Sequence, residues 1–222
     1  MKSGKIVLQQ TELQLLPEKA VFLPEFQTLC IADWHLGKAA HFRKAGIALP
    51  QPDLSLEFDK LSRLIDRYDA QQVILLGDIF HSDLNKDWFH FEEFIKAHAH
   101  IAWIITMGNH DLPGKAKFSS LGINATDEFR LGNRIIGTHH PLENVPEDCL
   151  NIAGHVHPGC EIFTPARQTF KLPCFHYSRS VLTLPAFGGL TGLFILKPDE
   201  HNRIFPIIGD EVKEIRFNRS NS

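Results

Sequence analysis

This chain is short of several things, and each shortage excludes a class of protein. No apolar run approaches the ~18 residues that a membrane-spanning helix needs. The opening Met1-Lys2-Ser3-Gly4-Lys5 is not followed by the apolar stretch of a secretory signal. A cytoplasmic location and no membrane partner are therefore expected. Positive charge is not in excess. The 23 Lys and Arg are outnumbered by 26 Asp and Glu, a net charge of −3. That argues against a nucleic-acid binder held by bulk charge, though not against one with a local basic groove. Cysteine is sparse. Cys30, Cys149, Cys160 and Cys174 include no CxxC pair. They read as free thiols rather than a disulfide framework or a thiolate zinc module. No repeat, low-complexity tract or composition break marks a linker. With 222 residues, 43% hydrophobic and 22% charged, one globular domain over 1–222 is expected.

What the chain has in plenty is histidine, 13 in all. Seven of these sit in five short polar motifs, each just after an apolar run. The apolar runs at 28–32, 73–76 and 101–106 predict buried strands. Between them, Leu54, Phe58, Leu61, Ile65 and Tyr68 recur at helical spacing, with Asp53 as the expected cap. Residues 87–99 form a second predicted helix, with Trp88, Phe91, Phe94 and Ile95 on one side. The second half changes character. Residues 134–138, 150–153, 181–185, 193–196 and 204–208 predict strands with little helix between them. The first 25 residues predict short strands broken by Pro17 and Pro24. The fold class expected is α/β, two packed sheets with helices outside.

The motifs follow the strands: Asp33-Trp34-His35, Gly77-Asp78-Ile79-Phe80-His81, Gly108-Asn109-His110-Asp111, His139-His140-Pro141 and Gly154-His155-Val156-His157. Open α/β sheets gather ligands at the carboxyl ends of strands. Carboxylate, amide oxygen and imidazole without thiolate suit Mn²⁺, Fe²⁺ or Zn²⁺. Seven donors are candidates: Asp33, His35, Asp78, Asn109, His139, His155 and His157. Two metals roughly 3.5–4 Å apart need about that many if one carboxylate bridges. The i, i+2 pairs Asp33/His35 and His155/His157 are expected to point the same way from an extended segment. Taken singly, each motif is more often a turn or a solvated loop. Their joint occurrence, each after an apolar run, is what argues for metal chemistry.

The full set resembles the signature of the calcineurin-like metallophosphoesterases. The resemblance spans residues 28–158. It implies a two-sheet sandwich flanked by helices, four layers in the order α/β/β/α, with a dinuclear centre at one edge. It implies that Asp33, His35, Asp78 and His157 hold one metal. Asp78, Asn109, His139 and His155 hold the other, with Asp78 bridging. His139 is preferred to His140 because it directly follows the strand. It also implies that His110, fixed by Asp111, lies beside the metals as an acid–base group, with His81 a second such group.

Two stretches resemble a small bacterial subfamily, the ligase-associated DNA damage response endonucleases. These are residues 32–46, from Ala32-Asp33-Trp34-His35 to Ala45-Gly46, and Pro185-Ala186-Phe187-Gly188-Gly189-Leu190-Thr191-Gly192. A histidine after Gly77-Asp78 is also similar to the repair nucleases of the SbcD type. Trp34 departs from the leucine expected there and is read as pointing into the core. The resemblance implies functional association with a DNA ligase and a helicase.

The function expected is a phosphodiesterase with two divalent ions, Mn²⁺ foremost and Fe²⁺ or Zn²⁺ as alternatives. A metal-bridged hydroxide would attack phosphorus in line, with DNA the favoured substrate. A phosphodiesterase or phosphatase acting on small molecules is the alternative. A metal-free interaction scaffold is a third reading, opposed by the intact donors. Lys38, His41, Arg43 and Lys44 form a basic cluster that could contact neighbouring phosphates. Arg167, Lys171 and Arg179 read as surface, and Cys160, Cys174 and His176 lack the paired motif of a further metal site.

Overall fold

The computed structural model describes residues 4–38, 54–80, 86–108, 111, 115–164, 166–197 and 199–215. Its first sheet begins as an antiparallel meander of β1 (Gly4–Leu8), β2 (Thr11–Leu16), β3 (Ala20–Leu23) and β4 (Thr28–Ala32). Pro24 opens a short 3-10 turn, Pro24–Phe26, before β4. Strands β5 (Gln72–Leu76), β6 (Ala102–Thr106) and β7 (Asn124–Thr126) continue the sheet in parallel. Parallel neighbours need crossovers. Helices α1 (Leu54–Tyr68), α2 (Lys86–Ala97) and α3 (Lys115–Ser120) lie in those connections.

Strand periodicity explains the layering. Leu29 and Ile31 of β4, with Val73 and Leu75 of β5, join the cluster that contains Phe58, Leu61, Phe91, Phe94 and Phe118 from the helices. Their neighbours Cys30, Ala32, Ile74 and Leu76 fall in the cluster with Phe129, Ile152, Phe175, Leu182 and Phe205 of the second sheet. Alternate side chains of a strand point to opposite faces. Strands covered on both faces are apolar nearly throughout, which is why 29–32 and 73–76 are unbroken apolar runs.

The second sheet contains β8 (Glu128–Leu131), β9 (Ile135–Thr138), β10 (Leu150–Ala153), β11 (Pro158–Phe163), β12 (Thr169–Ser178), β13 (Val181–Thr183) and β14 (Phe194–Ile195). Its order is β14-β11-β12-β13-β10-β9-β8. Strand β15 (Arg203–Ile208) pairs with β12, and β16 (Glu211–Val212) with β15. The centre, β9-β10-β13, is parallel. Phe175 and Phe205 face the first sheet, while Cys174 and Ile204 face away and meet Cys160 in a small third cluster. The expected two-sheet sandwich is present. Among the described residues the helices belong to the layer on the first sheet.

The α1 bounds match the periodicity of residues 54–68, and its expected cap Asp53 lies outside the described residues. Strands β7 and β8 intervene between the third and fourth motif-bearing strands, so the five are not consecutive. The sheets meet where it matters for chemistry. The backbones of Ala32, ending β4, and Ala186, after β13, form a bridge between them.

Candidate metal centre

Three of the site loops follow β4, β5 and β6, and two follow β9 and β10 of the other sheet. The side chains therefore converge from both sheets. Asp33 Oδ1 lies 3.6 Å from His157 Nε2. His35 Nε2 lies 3.3 Å from the same nitrogen. On the other side, His139 Nε2 is 3.2 Å from His155 Nδ1. Asp78 stands between the pairs, its Oδ2 3.9 Å from His35 Nε2 and 3.7 Å from His139 Nε2. Two nitrogens bound to one ion at ~2.0–2.1 Å sit roughly 3 Å apart. Donor groups able to hold an ion are Asp33/His35/His157, Asp33/Asp78/His139 and His139/His140/His155. His139 belongs to two of these and is buried, whereas His140 is exposed and belongs to one.

The donor set fits divalent cations on its own evidence. The Asp33 side chain is fully buried. Its Oδ2 accepts the backbone N–H of His155 at 2.8 Å, while Oδ1 has no hydrogen-bond donor among the described residues. A buried carboxylate oxygen with no donor is costly unless a cation compensates it. His139 Nδ1 donates to the carbonyl of Leu76 at 3.1 Å. A carbonyl only accepts, so that contact puts the ring proton on Nδ1 and leaves the Nε2 lone pair for an ion.

The local backbone is unusual. Asp33 (φ 53), His35 (φ 53), Asp78 (φ 48), His155 (φ 69) and His157 (φ 52) all occupy the left-handed region. For non-glycine residues this costs about 1–3 kcal/mol each and survives only where neighbours enforce it. The extended-segment expectation for the i, i+2 pairs is thereby corrected. Asp33 and His35 do converge, but His155 and His157 join different groups. Left-handed residues abolish the two-residue alternation that argument required. Gly154 also has a steric role, since a Cβ there would lie 2.6 Å from Asp33 Oδ2.

Asp111 is buried and binds backbone. Its Oδ1 accepts Ile79 N–H at 2.9 Å and Oδ2 accepts Gly108 N–H at 3.1 Å. It thus ties the loop after β5 to the loop after β6. Burial pushes its pKa up to about 6 against the pull of those N–H groups. Lys38 is half-buried near the carboxylates. Burial lowers its pKa, opposed by Asp78 and Asp33. Asn109, His110, His81, His41, Arg43 and Lys44 lie outside the described residues. Arg167, Lys171 and Arg179 are exposed, and Lys171 Nζ is 3.7 Å from Glu161. Cys160, Cys174 and His176 form no metal-holding group among the described residues.

Sequence reasoning missed Asn151. Its Nδ2 donates to Ile136 O and Thr138 Oγ1 at 3.0 and 2.9 Å, and its Oδ1 accepts Leu142 N–H at 3.0 Å. It steadies both ends of the loop that carries His139. The signal was present: a buried strand, Leu150–Ala153, holds one polar residue, and buried amides are kept for the bonds they make.

A family model for calcineurin-like phosphoesterases matches residues 26–210, most of the chain. The chain belongs to the calcineurin-like phosphoesterase family. Among solved structures, this phosphoesterase is similar to the nuclease MPE of Pseudomonas putida. The likeness covers 96% of this chain and 100% of that one, at 28% identity and a TM-score of 0.79. YfcE, a phosphoesterase from E. coli, aligns over 86% of this chain and 99% of its own at 15% identity. Its TM-score is 0.46. No curated protein matches this chain. The family uses divalent metals, in keeping with the donor groups above. Among the described residues no helix is long and apolar enough to cross a membrane.

Proposed function

We propose that this phosphoesterase is a dinuclear, metal-dependent phosphodiesterase and that its substrate is DNA. The observation that carries the reading is the place of Asp78, whose single oxygen Oδ2 faces an imidazole of each pair at 3.9 and 3.7 Å. Asp33, His35 and His157 would hold one ion, His139, His155 and Asn109 the other, and Asp78 both. Mn²⁺ is the favoured ion, because imidazole-rich sites suit it better than the water-loving Mg²⁺. Bound ions would lower the pKa of a water and offset charge on the phosphoryl oxygens.

The chain's own residues do the rest. Asp111 fixes the spacing of the loops after β5 and β6, the first of which brings Asp78 to the site. His110 would hold a proton for the leaving oxygen, with His81 a second such group, as the family resemblance implies. Lys38, His41, Arg43 and Lys44 would bind phosphates beyond the scissile one. Donors from both sheets meet in one site, so residues 1–222 are read as one domain. DNA is preferred to a small diester on two grounds: the likeness to a nuclease over 96% of this chain and all of that one, and the subfamily resemblance at 32–46 and 185–192. Association with a DNA ligase and a helicase rests on that resemblance alone.

Metal analysis with hydrolysis of bis-p-nitrophenyl phosphate tests the centre, and plasmid nicking against cyclic-nucleotide turnover tests the substrate. Two ions per chain and nicking are expected. Turnover of cyclic nucleotides without nicking would move the substrate to small diesters. A chain without metal or hydrolysis would leave the scaffold reading.

A further inference from the structure

We propose that Glu57 is a positioning residue for the metal centre, clamping the loop that carries Asp33 and His35 against the glycine loop after β13. The inference rests on reading Asp33 and His35 as metal ligands. It gives work to the glycines of the 185–192 motif, which the donor set does not use, while Phe187 beside them is buried in the core. Glu57, on α1, divides its carboxylate between two partners. Oε2 accepts the Trp34 indole N–H at 2.8 Å, and Oε1 accepts the Gly189 backbone N–H at 2.8 Å. Trp34 stands between the two ligands and is 1% exposed. Its ring meets Phe187 edge-on at 5.4 Å and Phe58 at 5.0 Å, so it is held on its faces as well as at its nitrogen.

The glycine loop grips the same segment from the other side. Phe187 N–H donates to Ala32 O at 2.8 Å and Gly188 N–H to Asp33 O at 3.4 Å. A Cβ on residue 188 would lie 2.0 Å from the Trp34 carbonyl oxygen, so the approach requires glycine. Lys60, also on α1, completes the clamp. Its Nζ donates to Phe187 O at 3.1 Å and sits 3.5 Å from the Phe187 ring centroid.

The geometry points to a purpose. Asp33 and His35 are both left-handed, a conformation that persists only where surrounding structure over-determines it. The clamp fixes the carbonyls of Ala32 and Asp33 and the side chain of Trp34, which are points on both sides of Asp33 and immediately before His35. Losing a partner that orients a metal ligand typically costs 10–100-fold in metal affinity. If Glu57 only fastened α1 to the sheet, its loss would lower the melting temperature and leave metal affinity alone.

The experiment measures Mn²⁺ affinity by competition with a fluorescent chelator, alongside thermal melting, on the full chain. The variants are Glu57→Gln, Trp34→Phe, their double, and Ser62→Ala. Ser62 is a control on the same helix. Its hydroxyl bonds His98 Nε2 at 2.8 Å and does not touch the loop. Glu57→Gln is nearly isosteric, so it folds, yet it keeps only one acceptor oxygen. One of two Mn²⁺ ions should bind about 10-fold more weakly in Glu57→Gln and 10–100-fold more weakly in Trp34→Phe. The double variant should be no worse than Trp34→Phe. Ser62→Ala should lower the melting temperature alone. Unchanged affinity in both single variants, or additive losses in the double, overturns the clamp with the metal centre intact. A wild-type chain that takes up no Mn²⁺ overturns the metal reading beneath it instead.

Discussion

Gly77→Ala tests the site through a steric contact made directly with the His139 ring. Gly77 lies between Leu76, whose carbonyl binds His139 Nδ1, and Asp78. A Cβ at 77 would stand 2.2 Å from His139 Nδ1 and 2.5 Å from its Cγ, and real Cβ contacts essentially never fall below 3.0 Å. The ring must retreat by about 1 Å, beyond the roughly 0.5 Å tolerance of a catalytic constellation. The retreat also breaks the bond to Leu76, worth about 1 kcal/mol. The φ of +71 at Gly77 adds about 1–2 kcal/mol for a left-handed alanine. A total of about 2–3 kcal/mol should lower Tm by roughly 4–12 °C in a domain of this size. Misplacement by about 1 Å should cost about 10²-fold in rate. Gly122→Ala separates the two effects. Its φ is +74 and nothing lies within 4 Å of the added carbon. It should carry the backbone cost alone, with full activity. The assays are thermal melting by circular dichroism and Mn²⁺-dependent hydrolysis of bis-p-nitrophenyl phosphate. Wild-type rate and metal affinity in Gly77→Ala would refute the packing of His139 against Gly77 and its place as a ligand.

Asp78→Asn should weaken both ions and abolish hydrolysis, because one carboxylate offsets charge from two cations; metal analysis that finds two tightly held ions would end the bridging assignment. After chelation, Mn²⁺ should restore activity better than Mg²⁺, and equal rescue would contradict an imidazole-rich site. His110→Ala should keep both ions and lose about 10²–10⁴ in rate on DNA, with a smaller loss for p-nitrophenolate, which leaves unprotonated; loss of an ion would make His110 a ligand. In Arg43→Ala with Lys44→Ala, the slope of log affinity for duplex DNA against log salt should flatten by about 0.9 for each phosphate no longer neutralised. An unchanged slope would mean that the two side chains are solvated.

The parts of the fold that were legible share one physical property. Strands β4 and β5 are covered on both faces, so burial alone wrote them as apolar runs, and α1 carries a stripe wide enough to show its period. The elements that were missed lack such a constraint. Helix α3 is six residues long and buries Phe118 and little else. Strand β12 holds Pro173, and its first residues are exposed, so neither alternation nor an apolar run marks it. Strands β7 and β8 are three and four residues long and mostly polar.

The donors were legible for a related reason. A polar residue straight after a two-sided apolar strand sits at a sheet edge, where ligands collect, and the sequence by itself determined which residue types stand there. Their grouping was not in the sequence. His155 and His157 go to different partners because left-handed backbone turns one from the other, and φ is enforced by surroundings rather than by residue type. The same holds for Glu57, which looks like any acidic residue in the first turn of an amphipathic helix. Its partner Gly189 is 132 positions away. Only the packing of α1 and the loop after β13 against the carboxyl end of β4 brings them together. Contacts of that range are set by how whole layers stack, and no local pattern in the chain encodes them.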